Sequence, residues 1–270
     1  MLRNGGKKND DPMKQKKDLL VMWLLLLTAS GFSQKTDMVL IPDGNFVPFI
    51  KGQTTSIKVQ SFWMDENPVT NAEFIAFVIA NPQWKPENVK SIFADKDYLS
   101  HWKDTIVNSN TISGEKFPVV NVSWFAANDY CKSVGKRLPT MYEWEYAGAS
   151  LPEGSNDNKI LNELITRWYS RQNTGLSNVG SIYRNQFGVW DMYGQIWEWV
   201  YDFNSISSNE DSRNKEEIPE GFFCGSAALN ASDASDYVTF IRYAFRSSLK
   251  GEYTVRKLGF RCAKNVESED

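Results

Sequence analysis

The chain has 270 residues, a net charge of −3 and an aromatic content of 14%, with ten tryptophans. The small negative charge argues against a protein that binds nucleic acid or an anionic membrane surface. The single histidine and the three cysteines limit the metal-binding and catalytic chemistry that the chain can support. The length is sufficient for one large domain or two small ones.

The first 33 residues have the pattern of an N-terminal extension that runs into an export signal. Lys14, Lys16 and Lys17 precede an unbroken apolar run from Leu19 to Leu27, and small residues follow before Gln34. A membrane-spanning helix needs about 20 apolar residues, roughly twice the length of this run. We therefore expect a cleaved signal rather than an anchor, and no membrane span after cleavage. The mature protein would be periplasmic or extracellular, where disulfides persist.

Three helices are predicted in the first half of the mature chain from their N-terminal residues. Thr70 with Glu73, and Thr140 with Glu143, have the spacing of a capping box, so a helix is expected after each threonine. Ser123 is expected to cap a further helix between them.

Short strands are predicted where apolar and polar residues alternate or where a short apolar run occurs. These segments are 38–46, 56–64, 117–122, 222–228, 237–245 and 258–263. Long polar loops are predicted at 81–116, 150–180 and 204–220, with a short helix at 160–169 as an alternative in the second. The sole histidine, His101, lies in the first of these loops and is expected to be a surface residue. The pattern predicts one α+β domain over 38–264 and a tail at 265–270.

The stretch from Asp191 to Asp202 is rich in aromatic and acidic residues. Trp197, Trp199 and Tyr201 alternate, which is typical of a strand with one buried face, and Glu198 lies between the two tryptophans. Burying a carboxylate is unfavourable unless a cation or a group of backbone N–H donors pairs with it. We therefore expect a polar or metal-bearing node inside an aromatic core.

Six sequence blocks occur in order along almost the whole mature chain. They are MVLIP at 38–42, PVTNAEF at 68–74, PVVNVSW at 118–124, GKRLPTMYEWEYA at 135–147, FGVWDMYGQIWEWV at 187–200 and LGFRC at 258–262. With these blocks the chain resembles the formylglycine-generating enzyme family, also called the sulfatase-modifying factor family. The resemblance implies a C-type-lectin-like α+β fold with short strands, few helices and much irregular structure.

The resemblance also implies a structural calcium ion in the stretch that begins at Asp191. The family's ligands fall on Asp191, Gly194, Ile196 and Glu198, with a carboxylate from Glu198 and backbone carbonyl oxygens from Gly194 and Ile196. Hard oxygen ligands in a turn suit Ca²⁺. The alternative is that Glu198 only hydrogen-bonds to the backbone or pairs with an arginine.

Two of the three cysteines, Cys131 and Cys262, stand where the family has its structural disulfide. The family's enzymes also use two active-site cysteines that bind copper, and no cysteine stands at either place here. Cys224 falls several residues too early, and its apolar neighbours predict a buried, inert thiol. Copper and formylglycine synthesis are therefore not expected. The single histidine also excludes the three-histidine iron site of a related branch of the family.

Four residues are candidates for lining the family's substrate pocket by position alone, namely Cys224, Ser226, Arg242 and Arg246. Two functions follow from this pattern. The first is a binding or accessory protein that presents a groove to a peptide, a glycan or a protein partner. The second is an enzyme of altered chemistry, such as a tailoring enzyme that uses Cys224 or a pocket acid with a metal. The absence of the cysteine pair favours the first.

Overall fold

The computed structural model describes residues 37–47, 56–102, 114–170, 175–204 and 234–267, with side chains except at 234–240. The predicted leader, Cys224 and Ser226 lie outside these residues. The described elements are, in chain order, β1 (Met38–Ile41), β2 (Gly44–Phe46), β3 (Ile57–Val59), β4 (Phe62–Asp65), α1 (Asn71–Ala80), α2 (Trp124–Ser133), α3 (Met141–Gly148), α4 (Asn158–Ser170), β5 (Trp197–Glu198), α5 (Ala234–Ser248), β6 (Leu258–Gly259) and β7 (Ala263–Asn265). The predicted α+β class with short strands and few helices is confirmed, and the described residues between 37 and 267 belong to one compact unit.

The strands form small sheets rather than one large one. β1, β4 and β7 make an antiparallel sheet with β4 in the centre, where Phe62 lies opposite both Ile41 and Asn265. β2 pairs with β3 in antiparallel fashion, and β5 pairs with β6 in parallel. The single strand predicted over 56–64 is therefore two strands, because β3 and β4 hydrogen-bond to different partners.

The predicted helix caps are present. Thr70 and Thr140 precede α1 and α3, and each forms a complete capping box with the glutamate three residues later. At Thr140 the hydroxyl accepts from the backbone N–H of Glu143 at 3.2 Å, and the Glu143 carboxylate accepts from the N–H of Thr140 at 2.8 Å. Ser123 caps α2 in the predicted way. Two otherwise unpaired backbone donors at each box thus gain an acceptor.

Replacing Thr70 or Thr140 with alanine is expected to lower the free energy of unfolding by about 1 kcal/mol each, because the N-terminal turn loses its hydroxyl acceptor. Urea unfolding followed by circular dichroism measures this change. Serine at the same positions keeps the hydroxyl and should retain most of the stability. Alanine variants that unfold at the same urea midpoint as the unsubstituted protein would contradict this role.

The prediction of a strand at 237–245 is wrong, because this segment lies within helix α5. The buried positions Arg242, Tyr243, Arg246 and Leu249 recur with the helical period rather than on alternate residues. Aromatic and β-branched residues favoured a strand, but packing of one helical face in the core overrides that preference. The helix considered at 160–169 is present as α4.

The stretch around Glu198 also departs from the predicted one-faced strand. Only Trp197 and Glu198 form a strand, and Glu198, Trp199 and Val200 are buried in succession. Tyr201 has an exposed fraction of 53%. Two faces of this short segment are therefore inside the protein.

An aromatic cluster around Phe74 of α1 joins distant parts of the chain. The ring centroid of Phe74 lies 5.3 Å from that of Phe77, 5.8 Å from that of Tyr130 on α2 and 5.9 Å from that of Phe260 after β6. All four side chains are buried. The first two helices and the last strands therefore share one core.

The disulfide implied by the resemblance is present. It links Cys131 of α2 to Cys262, just before β7, with the Cα atoms 5.6 Å apart. Both cysteines are fully buried. The bond ties the C-terminal strand to the second helix.

Among the described residues, no helix is both long enough and apolar enough to cross a membrane. The predicted signal lies outside the described residues, and export stays a prediction.

Candidate functional site

Asp191 holds the start of the predicted calcium stretch by accepting backbone N–H groups. Its carboxylate accepts from Gly180 at 2.7 Å and from Ile182 at 2.8 Å, with a further contact from the side-chain amide of Gln195 at 3.3 Å. The residue is 1% exposed and lies in the left-handed backbone region, with φ of 59°. A short side chain that bonds to nearby backbone tolerates this region better than a bulky one.

Glu198 is paired with an arginine from the end of the chain. Its two carboxylate oxygens accept from Nε and Nη2 of Arg261, both at 2.8 Å, and Oε2 also accepts from Trp144 Nε1 at 2.8 Å. Neither charged side chain is exposed. Burial alone would lower the pKa of Arg261, but the carboxylate of Glu198 raises it, so the guanidinium stays charged.

The remaining donors of Arg261 are also used. Nη2 donates to the carbonyl oxygen of Trp190 at 2.9 Å, and Nη1 lies 3.3 Å from the carbonyl oxygens of Asp65 and Glu66. A buried ion pair is stabilising only when its other hydrogen-bonding groups are satisfied, and here they are. The pair therefore connects the predicted calcium stretch with β4 and the turn after β6.

These contacts do not fit a calcium ion held by Asp191, Gly194, Ile196 and Glu198. Calcium needs oxygen atoms with free lone pairs, and both carboxylates face N–H donors instead. The described residues also contain no group of three or more histidine, cysteine, aspartate or glutamate side chains that could hold a metal. The arrangement is the alternative considered from the sequence, in which Glu198 pairs with an arginine. Calcium stays an untested prediction.

The two arginines predicted to line the substrate pocket are buried in the core. Arg242 and Arg246 both donate to Glu145 of α3, with contacts of 2.9 and 2.5 Å. Their exposed fractions are 3% and 6%. They border an enclosed cavity of about 10 Å³ beside Trp197 and Phe245, which has room for no more than about one water molecule. A ligand role for either arginine stays a prediction.

Glu145 remains ionised in this cluster. Burial alone would raise its pKa, but the two guanidinium groups lower it below the ordinary value. The pKa of Glu145 is lower in the folded protein than in the unfolded chain. The cluster therefore stabilises the folded state at any pH above the pKa that a glutamate has when unfolded. This stability is lost as the pH falls through the folded pKa. Glu145, Arg242 and Arg246 thus fix α5 against α3.

An open cleft of about 580 Å³ lies elsewhere, between the loop that contains His101 and the segment before β6. Its lining residues are Asp95, Asp97, Ser100, His101, Asn121, Tyr253, Thr254, Val255 and Arg256. Sequence reasoning placed His101 on the surface, where the structure has it. The sequence did not identify the cleft, because no local pattern brings residues 95–101, Asn121 and residues 253–256 together.

Comparison with known proteins supports the resemblance. The family model described as the sulfatase-modifying factor enzyme 1-like domain matches residues 27–266. A protein named serine/threonine-protein kinase pkn1 from Chlamydia pneumoniae is 29% identical over 86% of this chain, which spans only 38% of that relative's length. The formylglycine-generating enzyme of Streptomyces coelicolor is 28% identical, over 78% of this chain and 81% of the enzyme. The protein named inactive C-alpha-formylglycine-generating enzyme 2 from Mus musculus is 28% identical, over 92% of each chain.

Proposed function

Because the chain belongs to the sulfatase-modifying factor family, we propose that it is an exported, non-catalytic binding or accessory protein without formylglycine-generating activity. The observation that carries this proposal is the cysteine inventory of the catalytic window. Between residues 224 and 247 the only cysteine is Cys224. Capture of soft Cu(I) in this family needs two thiolates, and one cannot replace the pair.

Two further observations support a non-catalytic role. The mouse relative named inactive matches this chain over almost the whole of both sequences. In addition, Cys131 and Cys262 are joined in a buried disulfide, so neither can serve as a substitute copper ligand. The name of the chlamydial relative supports no kinase role here, because this chain spans only 38% of that protein's length.

Copper loading followed by a peptide oxidation assay tests this proposal. The mature protein is incubated with Cu(I) and then with a cysteine-containing sulfatase peptide, and aldehyde formation is followed by mass spectrometry. The Streptomyces coelicolor enzyme serves as the active control. We expect no stoichiometric copper and no aldehyde. One copper per chain together with aldehyde formation would overturn the proposal and favour an enzyme of altered chemistry.

A further inference from the structure

The cleft near His101 has the size of a small-molecule site. Its volume of about 580 Å³ lies within the range of roughly 300–1,000 Å³ that is usual for ligand pockets. It differs from the enclosed cavity beside Arg242, which is too small for a ligand. Of these two cavities, only the cleft has room for a ligand.

The walls of the cleft are fixed to each other by hydrogen bonds. The carboxylate of Asp95 accepts from the backbone N–H of Thr254 at 3.1 Å and from the hydroxyl of the same residue. The backbone N–H of Asp95 donates to the carbonyl oxygen of Glu252 at 2.8 Å. The side-chain amide of Asn121 donates to the carbonyl oxygen of Thr254 at 2.9 Å. The site is thus pre-formed, which reduces the entropy lost on binding.

Strained backbone concentrates at this cleft. Leu99 and Asn121 have φ values of 48° and 54°, and the N–H of Leu99 donates to the carbonyl oxygen of Asn121 at 2.9 Å. Lys257, directly after the lining residue Arg256, has φ of 64°. The left-handed region is unfavourable for a bulky residue such as leucine, and strain of this kind is often held at binding sites.

Three polar groups of the cleft have no partner among the described residues. Asn121 is only 9% exposed and uses its amide N–H on Thr254, yet no described donor reaches its Oδ1. The Asp97 carboxylate and the Arg256 guanidinium are exposed and form no ion pair, with each other or with any described residue. An amide oxygen that no described donor reaches and two charges of opposite sign therefore line the same cleft.

We propose that this cleft binds a small zwitterionic ligand that carries an ammonium group and a carboxylate. The carboxylate pairs with Arg256, the ammonium group pairs with Asp97, and Oδ1 of Asn121 accepts an N–H of the ligand. A dianion would meet the carboxylates of both Asp95 and Asp97, and a neutral ligand would leave both charges unpaired. Free amino acids and short peptides with free termini share this chemistry. The inference deepens the proposed binding function and rests on it.

Titration of the mature protein by NMR spectroscopy tests the inference. One arm uses an equimolar mixture of the common amino acids, and a second uses triglycine. N-acetyl-triglycine amide provides the uncharged peptide, and maltotriose provides a neutral sugar. We expect saturable binding in at least one of the first two arms and none of the capped peptide, with shifts confined to cleft residues.

Charge-neutralising variants provide the sharper comparison. Arg256→Gln and Asp97→Asn are each expected to weaken binding at least about tenfold, as for the loss of a charge-assisted hydrogen bond. Arg256→Gln should also remove the preference for a free carboxylate over an amide. Arg167→Gln and Glu163→Gln, which change exposed charges on α4 outside the cleft, are the matched controls and should bind normally.

The inference fails if neither zwitterionic arm saturates, if the capped peptide or maltotriose binds as well, or if the cleft variants bind like the controls. This failure is distinct from failure of the proposed function. Oxidation of the cysteine peptide would overturn the non-catalytic role whatever the cleft binds. A protein that neither oxidises cysteine nor binds a zwitterion would overturn this inference alone.

Discussion

Replacing Glu198 with glutamine is expected to lower the free energy of unfolding by about 3–5 kcal/mol, the usual effect of removing one partner of a buried ion pair. Arg261 would keep its charge inside the protein without the carboxylate to which it is directly hydrogen-bonded. Trp144 would also lose a charged acceptor. Chemical denaturation of the variant and the unsubstituted protein measures the difference.

Two further variants separate the ion pair from general effects of charge removal. Glu198→Leu combined with Arg261→Met removes both charges, so it should be less destabilising than Glu198→Gln alone. Glu267→Gln removes an exposed partner of Lys264 and should leave stability nearly unchanged. A Glu198→Gln variant as stable as Glu267→Gln would show that the pair contributes little.

The melting temperature of the unsubstituted protein, measured with EDTA and with added Ca²⁺, tests whether calcium binds between Asp191 and Glu198. If Arg261 is the cation that Glu198 requires, EDTA should leave the melting temperature unchanged, and added Ca²⁺ should not raise it. Stabilisation by Ca²⁺ that disappears in Glu198→Gln would instead support the calcium ion implied by the family.

Removing the disulfide by changing Cys131 and Cys262 to alanine is expected to lower the free energy of unfolding by about 4–5 kcal/mol. The two cysteines are separated by 131 positions, and in the chain-entropy model a cross-link over so long a loop strongly restricts the unfolded chain. Thermal unfolding with and without a reducing agent provides an independent measurement on the unsubstituted protein.

A thiol count under denaturing conditions supplies the control for this experiment. Because Cys131 and Cys262 are joined, only Cys224 should react before reduction, and all three cysteines should react after it. Three reactive thiols before reduction would contradict the disulfide.

The candidate site was only partly predictable from sequence. The need for a partner at Glu198 follows from its position between two tryptophans, because a buried carboxylate requires compensation. The identity of that partner does not follow, since Arg261 lies 63 positions away and nothing local marks it. The cleft was not predictable, because its hydrogen bonds join Asp95 to Thr254, 159 positions apart.

By itself, the sequence determined the features that depend on short spacing. A threonine and a glutamate three residues apart satisfy each other at the start of a helix, so the caps at Thr70 and Thr140 could be recognised before the fold was known. The ordered family blocks identified the fold and the disulfide pair. The cysteine inventory after Cys224 argued against the oxidation chemistry.

Only the tertiary structure decided which charged groups meet and where an open cleft lies. Residues 237–245 have the composition of a strand but form a helix, because Arg242 and Arg246 must reach Glu145 from one helical face. Glu198 meets a guanidinium because the last turns of the chain fold back on the aromatic stretch. Burial makes each of these pairings obligatory, and burial is a property of the whole fold rather than of any local segment.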